Sequence, residues 1–166
     1  STPNKVVFSH GNPELDLGNG ETVNTGEPNV ITMTTQNFSS IIPNQWFTVA
    51  QVSLLNGEIF NDSAAATALF KLNFNLSDPN RTGTADVLME LINTPNTPDR
   101  VESADRVKIT NPSTNLVVTI DGINYRLEVS WQNLDPSTGM VSGNEFYVFE
   151  GAMATGVLRA RFFSDR

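Results

Sequence analysis

Cysteine is absent, and with it disulfides, thiol nucleophiles, zinc–thiolate sites and iron–sulfur clusters. Histidine occurs once, as His10 in the turn-like Ser9-His-Gly-Asn-Pro13. A single imidazole excludes multi-histidine metal sites. It also leaves a Ser-His-Asp triad nothing to build on but Ser9, a neighbour whose side chain rarely faces it. Basic residues are scarce, 10 Lys+Arg against 18 Asp+Glu, and no stretch gathers them. A nucleic-acid backbone therefore finds no electrostatic footprint here, and no nucleic-acid partner is expected. No apolar run reaches the roughly 18 residues of a membrane helix, so no transmembrane segment is expected. Aromatic residues make up 8% of the chain, and most are phenylalanine; the supply of polar-edged rings for an exposed binding platform is modest.

What the sequence does have is strand-forming material cut by turn residues. Its 166 residues suit one domain, 1–166, with a substantial core. Charged residues amount to only 17%, and Asn, Thr, Ser and Gly are abundant, the surface style of an extracellular β-protein. The chain opens at Ser1-Thr-Pro-Asn4 with no charged and apolar leader, so a signal peptide is expected to be absent from this sequence. Ala68, Phe70, Leu72, Phe74 and Leu76 alternate with polar positions, and Ala85, Val87, Met89 and Leu91 do so again; each series predicts a half-buried strand. Asp78-Pro-Asn-Arg-Thr-Gly83 between them reads as a turn. Trp46 to Leu55 is a further strand, and Asn56-Gly57 after it predicts a hairpin or sharp corner.

The most specific local prediction is a hairpin about Asp121-Gly122. A two-residue turn there sets Ile120 opposite Ile123, Val118 opposite Tyr125 and Leu116 opposite Leu127 on one face. Thr119 then meets Asn124, Val117 meets Arg126 and Asn115 meets Glu128 on the other. Turn chemistry and hydrophobic register agree. Glu145–Glu150 and Val157–Phe163 supply two more strands, the latter with Leu158, Ala160 and Phe162 facing inward. Together these signals predict an all-β antiparallel β-sandwich, jelly-roll-like or Greek key, with roughly eight to ten strands.

Gly57-Glu-Ile-Phe-Asn61, the alternating Leu69–Leu76, Asn93-Thr-Pro-Asn96 followed by Ala104-Asp105-Arg-Val107, Ile120-Asp-Gly-Ile-Asn-Tyr125 and Phe146-Tyr-Val-Phe-Glu150 ending in Gly156-Val-Leu158 occur in this order. In order and spacing they resemble the choice-of-anchor K domain of cyanobacteria and other bacteria, from about His10 to the C-terminus. The resemblance implies an exported domain, extracellular or in the cell envelope, with no established activity. Two features depart from it: no anchor is expected after Arg166, and Arg106 stands where members usually continue with an apolar residue.

Candidate sites follow from residue chemistry. Asn93, Asn96, Asp99 and Asp105, with Glu102 among them, crowd hard oxygen donors into one connection of the kind that holds calcium, without the spacing of a known calcium loop. The same residues also serve turns and backbone caps. Trp46 and Tyr147 are the aromatic candidates for stacking on a sugar, whereas Tyr125 and Trp131 fall on the apolar face of the hairpin. No catalytic residue stands out, because eighteen acidic residues single out no carboxylate pair. The reading is an exported, non-enzymatic surface or envelope module, binding or structural, with a glycan or another envelope protein as partner. A carbohydrate-binding module, calcium-assisted, is the alternative, and a glycoside-active enzyme the third.

Overall fold

The computed structural model describes residues 5–10, 14–16, 18, 20, 22–24, 28–36, 41–57, 67–77, 80–95 and 97–164. Among them are thirteen strands: β1 (Lys5–His10), β2 (Glu14–Asp16), β3 (Thr22–Asn24), β4 (Asn29–Thr35), β5 (Phe47–Leu55), β6 (Thr67–Ser77), β7 (Asn80–Ile92), β8 (Asp105–Ile109), β9 (Ser113–Ile120), β10 (Ile123–Asn133), β11 (Gly139–Ser142), β12 (Glu145–Val148) and β13 (Met153–Phe163). All pairings are antiparallel. One sheet runs β1-β4-β5-β13-β10-β9 and the other β11-β12-β8-β7-β6, while β2 and β3 form a separate ribbon. The two sheets pack as a β-sandwich. The count exceeds the expected eight to ten because β2, β3 and β11 are only three or four residues long, too short to show a period.

Alternation decides which side of each strand is buried. Leu72 and Phe74 of β6 and Ala85, Val87, Met89 and Leu91 of β7 face inward, and the two strands pair without a break from Thr67↔Glu90 to Ser77↔Asn80. The reversal between them is therefore tighter than the expected Asp78–Gly83 turn. Arg81, Thr82 and Gly83 belong to β7. Opposite them, Leu127, Val129 and Trp131 of β10 and Leu158, Ala160 and Phe162 of β13 line the other sheet. Each large apolar side chain taken fully inside contributes about 1.5–3 kcal/mol. Two aromatic contacts bridge the layers: Trp131 meets Phe146 edge-on with centroids 5.6 Å apart, and Phe74 meets Phe162 at 6.1 Å. The Trp131 indole also donates to the Val107 carbonyl across the interface. Gly156 is required under this contact, since a Cβ would run into the Phe146 ring and the Gln132 carbonyl.

The Asp121-Gly122 hairpin forms as a turn with both φ angles positive, 53° and 76°, the type I′ geometry. Its register holds from Ile120↔Ile123 to Val117↔Arg126 and then shifts, so that Glu128 meets Ser113 and not Asn115. The cause is a bulge. The buried Thr114 hydroxyl donates to the Leu127 carbonyl at 2.8 Å, and Val129 N–H turns to the Pro112 carbonyl. Leu116 is accordingly not the direct partner of Leu127. Of the hairpin or sharp corner expected at Asn56-Gly57, the hairpin does not form. No positive φ occurs there, and β5 and β6 lie in different sheets, so the pair ends a strand and closes no hairpin. Ser9 and His10 continue β1 instead of turning.

β7 outruns its neighbour β8, which pairs only with Met89–Ile92. Side-chain amides stand in for the missing strand. Asn111 accepts from Leu88 N–H and donates to the Asp86 carbonyl, and Asn115 accepts from Asp86 N–H. These bonds join β7 to the segment entering β9 and satisfy backbone groups that a bare edge would leave open.

Candidate functional site

Polar residues gather where β4 of one sheet passes the ends of β7 and β8 of the other. Asn29, the first residue of β4, is 4% exposed. Its side-chain Oδ1 accepts from Gly57 N–H at 2.8 Å, and its side-chain Nδ2 donates to Asn93 Oδ1 at 3.2 Å and to Asp105 Oδ2 at 3.5 Å. The second Asp105 oxygen accepts from Thr94 N–H at 3.0 Å, and the Thr94 hydroxyl donates to the Ala104 carbonyl. Asn29 thus clamps the two sheets together. Burial pushes the Asp105 carboxyl up to about 6, against the opposing pull of the Thr94 and Asn29 hydrogen bonds and with help from the Glu150 charge. Asn56 makes a second crossing, its amide donating to the Val148 carbonyl at 3.0 Å, while its buried Oδ1 has no partner among the described residues.

The cleft beside this clamp, lined by Asn29, Asn56, Asn93 and Asp105 among others, has a volume of about 30 Å3. That is the scale of a water molecule, far below the roughly 300–1,000 Å3 of small-molecule pockets.

The calcium candidates separate into two groups. Asn93 and Asp105 are brought together through Asn29. Asp99 instead organises its own turn, accepting from the Val101 and Glu102 amides at 2.8 and 3.0 Å, and these bonds hold its carboxyl below the usual range. Ser103, buried beneath it, donates to the Thr97 and Asp99 carbonyls, and the Arg100 guanidinium covers the Phe149 ring at 4.5 Å. Asn96 lies outside the described residues. Among those residues no three His, Cys, Asp or Glu side chains converge. The oxygens of Asn93, Asp99 and Asp105 already accept N–H donors, the arrangement of hydrogen-bonded turns.

The aromatic candidates sit on opposite outer faces. Tyr147 of β12 is half-buried beneath Arg106, whose guanidinium lies 5.4 Å from the ring; both reach Glu145, Tyr147 by a 3.3 Å hydrogen bond and Arg106 by a 3.7 Å ion pair. Trp46, immediately before β5, is 37% exposed. Arg159 and Arg161 of β13 approach its ring at 5.0 and 4.7 Å, and Arg161 also lies 4.8 Å from the Phe163 ring. Arg159 Nε donates to Ser130 Oγ and Arg161 Nε to Glu128 Oε2, both at 2.8 Å. A cation over an aromatic face contributes about 0.5–2 kcal/mol, and here two such contacts fix Trp46 on the sheet.

Arg159 and Arg161 escape sequence reasoning because nothing local marks them. Their alternation with inward Leu158, Ala160 and Phe162 does put both on the outer face, but their meeting with Trp46 depends on β13 lying beside β5. Asn29 escapes it altogether, for no feature of Asn29-Val-Ile-Thr distinguishes a sheet clamp from a strand start. No family model matches the chain, and no curated protein matches it in sequence.

Proposed function

We propose that this chain is a binding module of an exported surface or envelope protein, that it holds its ligand without transforming it, and that the ligand is carbohydrate. One observation carries this reading: Trp46 remains 37% exposed on a broad sheet face, where two arginines hold its ring in place. A rigid exposed ring is what the apolar face of a pyranose stacks on, and pre-fixing it reduces the ordering cost of binding. Export is supported by the low charge density and the resemblance to the choice-of-anchor K domain.

An acid catalyst would also have a raised carboxyl in a cleft. Asp105 fits that role poorly, because both oxygens accept hydrogen bonds and the cleft holds no more than a water-sized molecule. Calcium has no required part in the reading. A glycan array tests it: the expected result is retention on a defined set of glycans by the wild-type chain and loss of retention by Trp46→Ala with its thermal melt preserved. Retention on no glycan, or retention that survives Trp46→Ala, would overturn it.

A further inference from the structure

The five strands of the β11-β12-β8-β7-β6 sheet balance Lys71, Arg81, Arg106 and Lys108 with Asp86, Glu90, Asp105 and Glu145, whereas the other sheet is poor in acidic residues. Of 18 acidic residues, the six strands of the β1-β4-β5-β13-β10-β9 sheet hold one, Glu128; the same strands hold Lys5, Arg126, Arg159 and Arg161. In a chain of net charge −8, the described strands of this sheet thus carry a net positive charge. Its arginines are neighbours: the register sets Ser130 against Arg159, Glu128 against Arg161 and Arg126 against Phe163, all alternating with the buried Leu127, Val129, Leu158, Ala160 and Phe162. Arg126 is itself anchored, donating to the Thr114 carbonyl at 2.8 Å. Glu128 offsets one of the three charges through its ion pair with Arg161.

Resting on the reading of Trp46 as a sugar platform, we infer that the glycan is acidic, a polysaccharide bearing carboxylates or sulfates that Arg159, Arg161 and Arg126 take up beside the stacked ring. Two outward positions on one strand are about 7 Å apart, and Arg159 and Arg161, both reaching the Trp46 ring, place two guanidiniums beside the platform. Their Nε bonds to Ser130 and Glu128 orient each fork in advance, and arginine pairs with carboxylate and sulfate oxygens through two parallel N–H donors. A neutral glycan would have no use for three arginines that the sheet fixes in place. Nucleic acid fits less well, because a duplex carries a phosphate charge about every 1.7 Å and this face offers only three arginines, one of them paired with Glu128, on a strongly acidic molecule.

The test is affinity electrophoresis of the whole chain through gels containing polygalacturonate, neutral galactan or poly(dT), at low and high salt, for the wild type, Trp46→Ala, Arg159→Gln and Arg126→Gln, with a thermal melt of each variant. The expected result is retardation by polygalacturonate only, weakened about tenfold or more as added salt shortens the Debye length from about 30 to 3 Å. Arg159→Gln and Arg126→Gln should each weaken it several-fold, and Trp46→Ala should abolish it. The salt titration needs no variant, so a misfolded mutant leaves the inference open to refutation. Equal retardation by galactan and polygalacturonate, insensitive to salt and lost in Trp46→Ala, would keep the carbohydrate reading and overturn the acidic one. Retardation by poly(dT) as strong as by polygalacturonate would overturn it in favour of a general polyanion site. Retardation by none of the three would overturn the acidic inference, and silence on the glycan array as well would remove the carbohydrate reading with it.

Discussion

The Asn29–Asn93–Asp105 clamp and the Trp46–Arg159–Arg161 face are both polar features built by long-range contacts, and they spend their polar groups in opposite ways. In the clamp, amide and carboxylate oxygens turn on one another and on backbone N–H groups, closing the sandwich around a cleft too small for a ligand. On the outer face, each arginine uses its Nε to fix itself and lies against the partly exposed Trp46 ring. Crowding of polar residues along the chain thus marks the place where the fold holds its own backbone, whereas residues scattered over β10, β13 and the approach to β5 assemble the outer face proposed for the ligand.

The sharpest way to break this contrast is Asn29→Ala. It strips partners from Gly57 N–H, Asn93 and Asp105 at once and is expected to cost about 2–3 kcal/mol, seen as a melting point lowered by roughly 5–10 °C. Glycan retention below the melt should be unchanged. A folded Asn29→Ala protein that no longer binds would show that the clamp is part of the site.

Asp105 gives a second, smaller effect through pH. Its folded pKa of about 6 lies above the ordinary 3.8, so the folded chain binds this proton more tightly than the unfolded one. The stabilisation from protonation is fully present below about 4 and is lost as pH rises through about 6. With allowance for solvent screening of a part-exposed group, the swing is roughly 1–2 kcal/mol. Melting curves from pH 7 to 4.5 should show wild-type stability rising relative to Asp105→Asn. Parallel curves would mean that Asp105 titrates normally. Asp99 and Asp135, both held below the usual range by local hydrogen bonds, work in the opposite sense and only at lower pH.

Trp46→Ala should reverse the Asn29→Ala pattern, costing about 1–2 kcal/mol in two lost cation–π contacts while removing glycan retention. A large drop in melting point would make Trp46 a structural residue. Smallest of all is the expected response to a chelator: the melting midpoint should not move, and a fall of several degrees would place a stabilising cation in the 93–105 connection after all.

Strands were legible wherever one face is buried and the other wet, as in β6, β7 and β10, because period-two alternation records that environment directly. The hairpin was legible to its fourth pair and no further. Beyond Val117 the Thr114 hydroxyl replaces a ladder bond, a choice that depends on what lies beneath it. Asn56-Gly57 misled for a related reason: its local chemistry suits a turn, yet the Asn56 amide is spent on Val148 in the other sheet. At the site, Trp46, Asn93 and Asp105 were visible as residue types, whereas their partners Arg159, Arg161 and Asn29 were not. A pairing across most of the chain leaves no trace in either local stretch.

The two tryptophans provide the most direct measurement. In a 15N-labelled protein titrated with polygalacturonate, the Trp46 indole N–H signal should shift progressively. The Trp131 indole, buried and bonded to the Val107 carbonyl, and the Thr94 amide, bonded to Asp105, should stay in place. A stationary Trp46 signal with movement at Thr94 would contradict the account, because the ligand would then be at the clamp and not on the outer face.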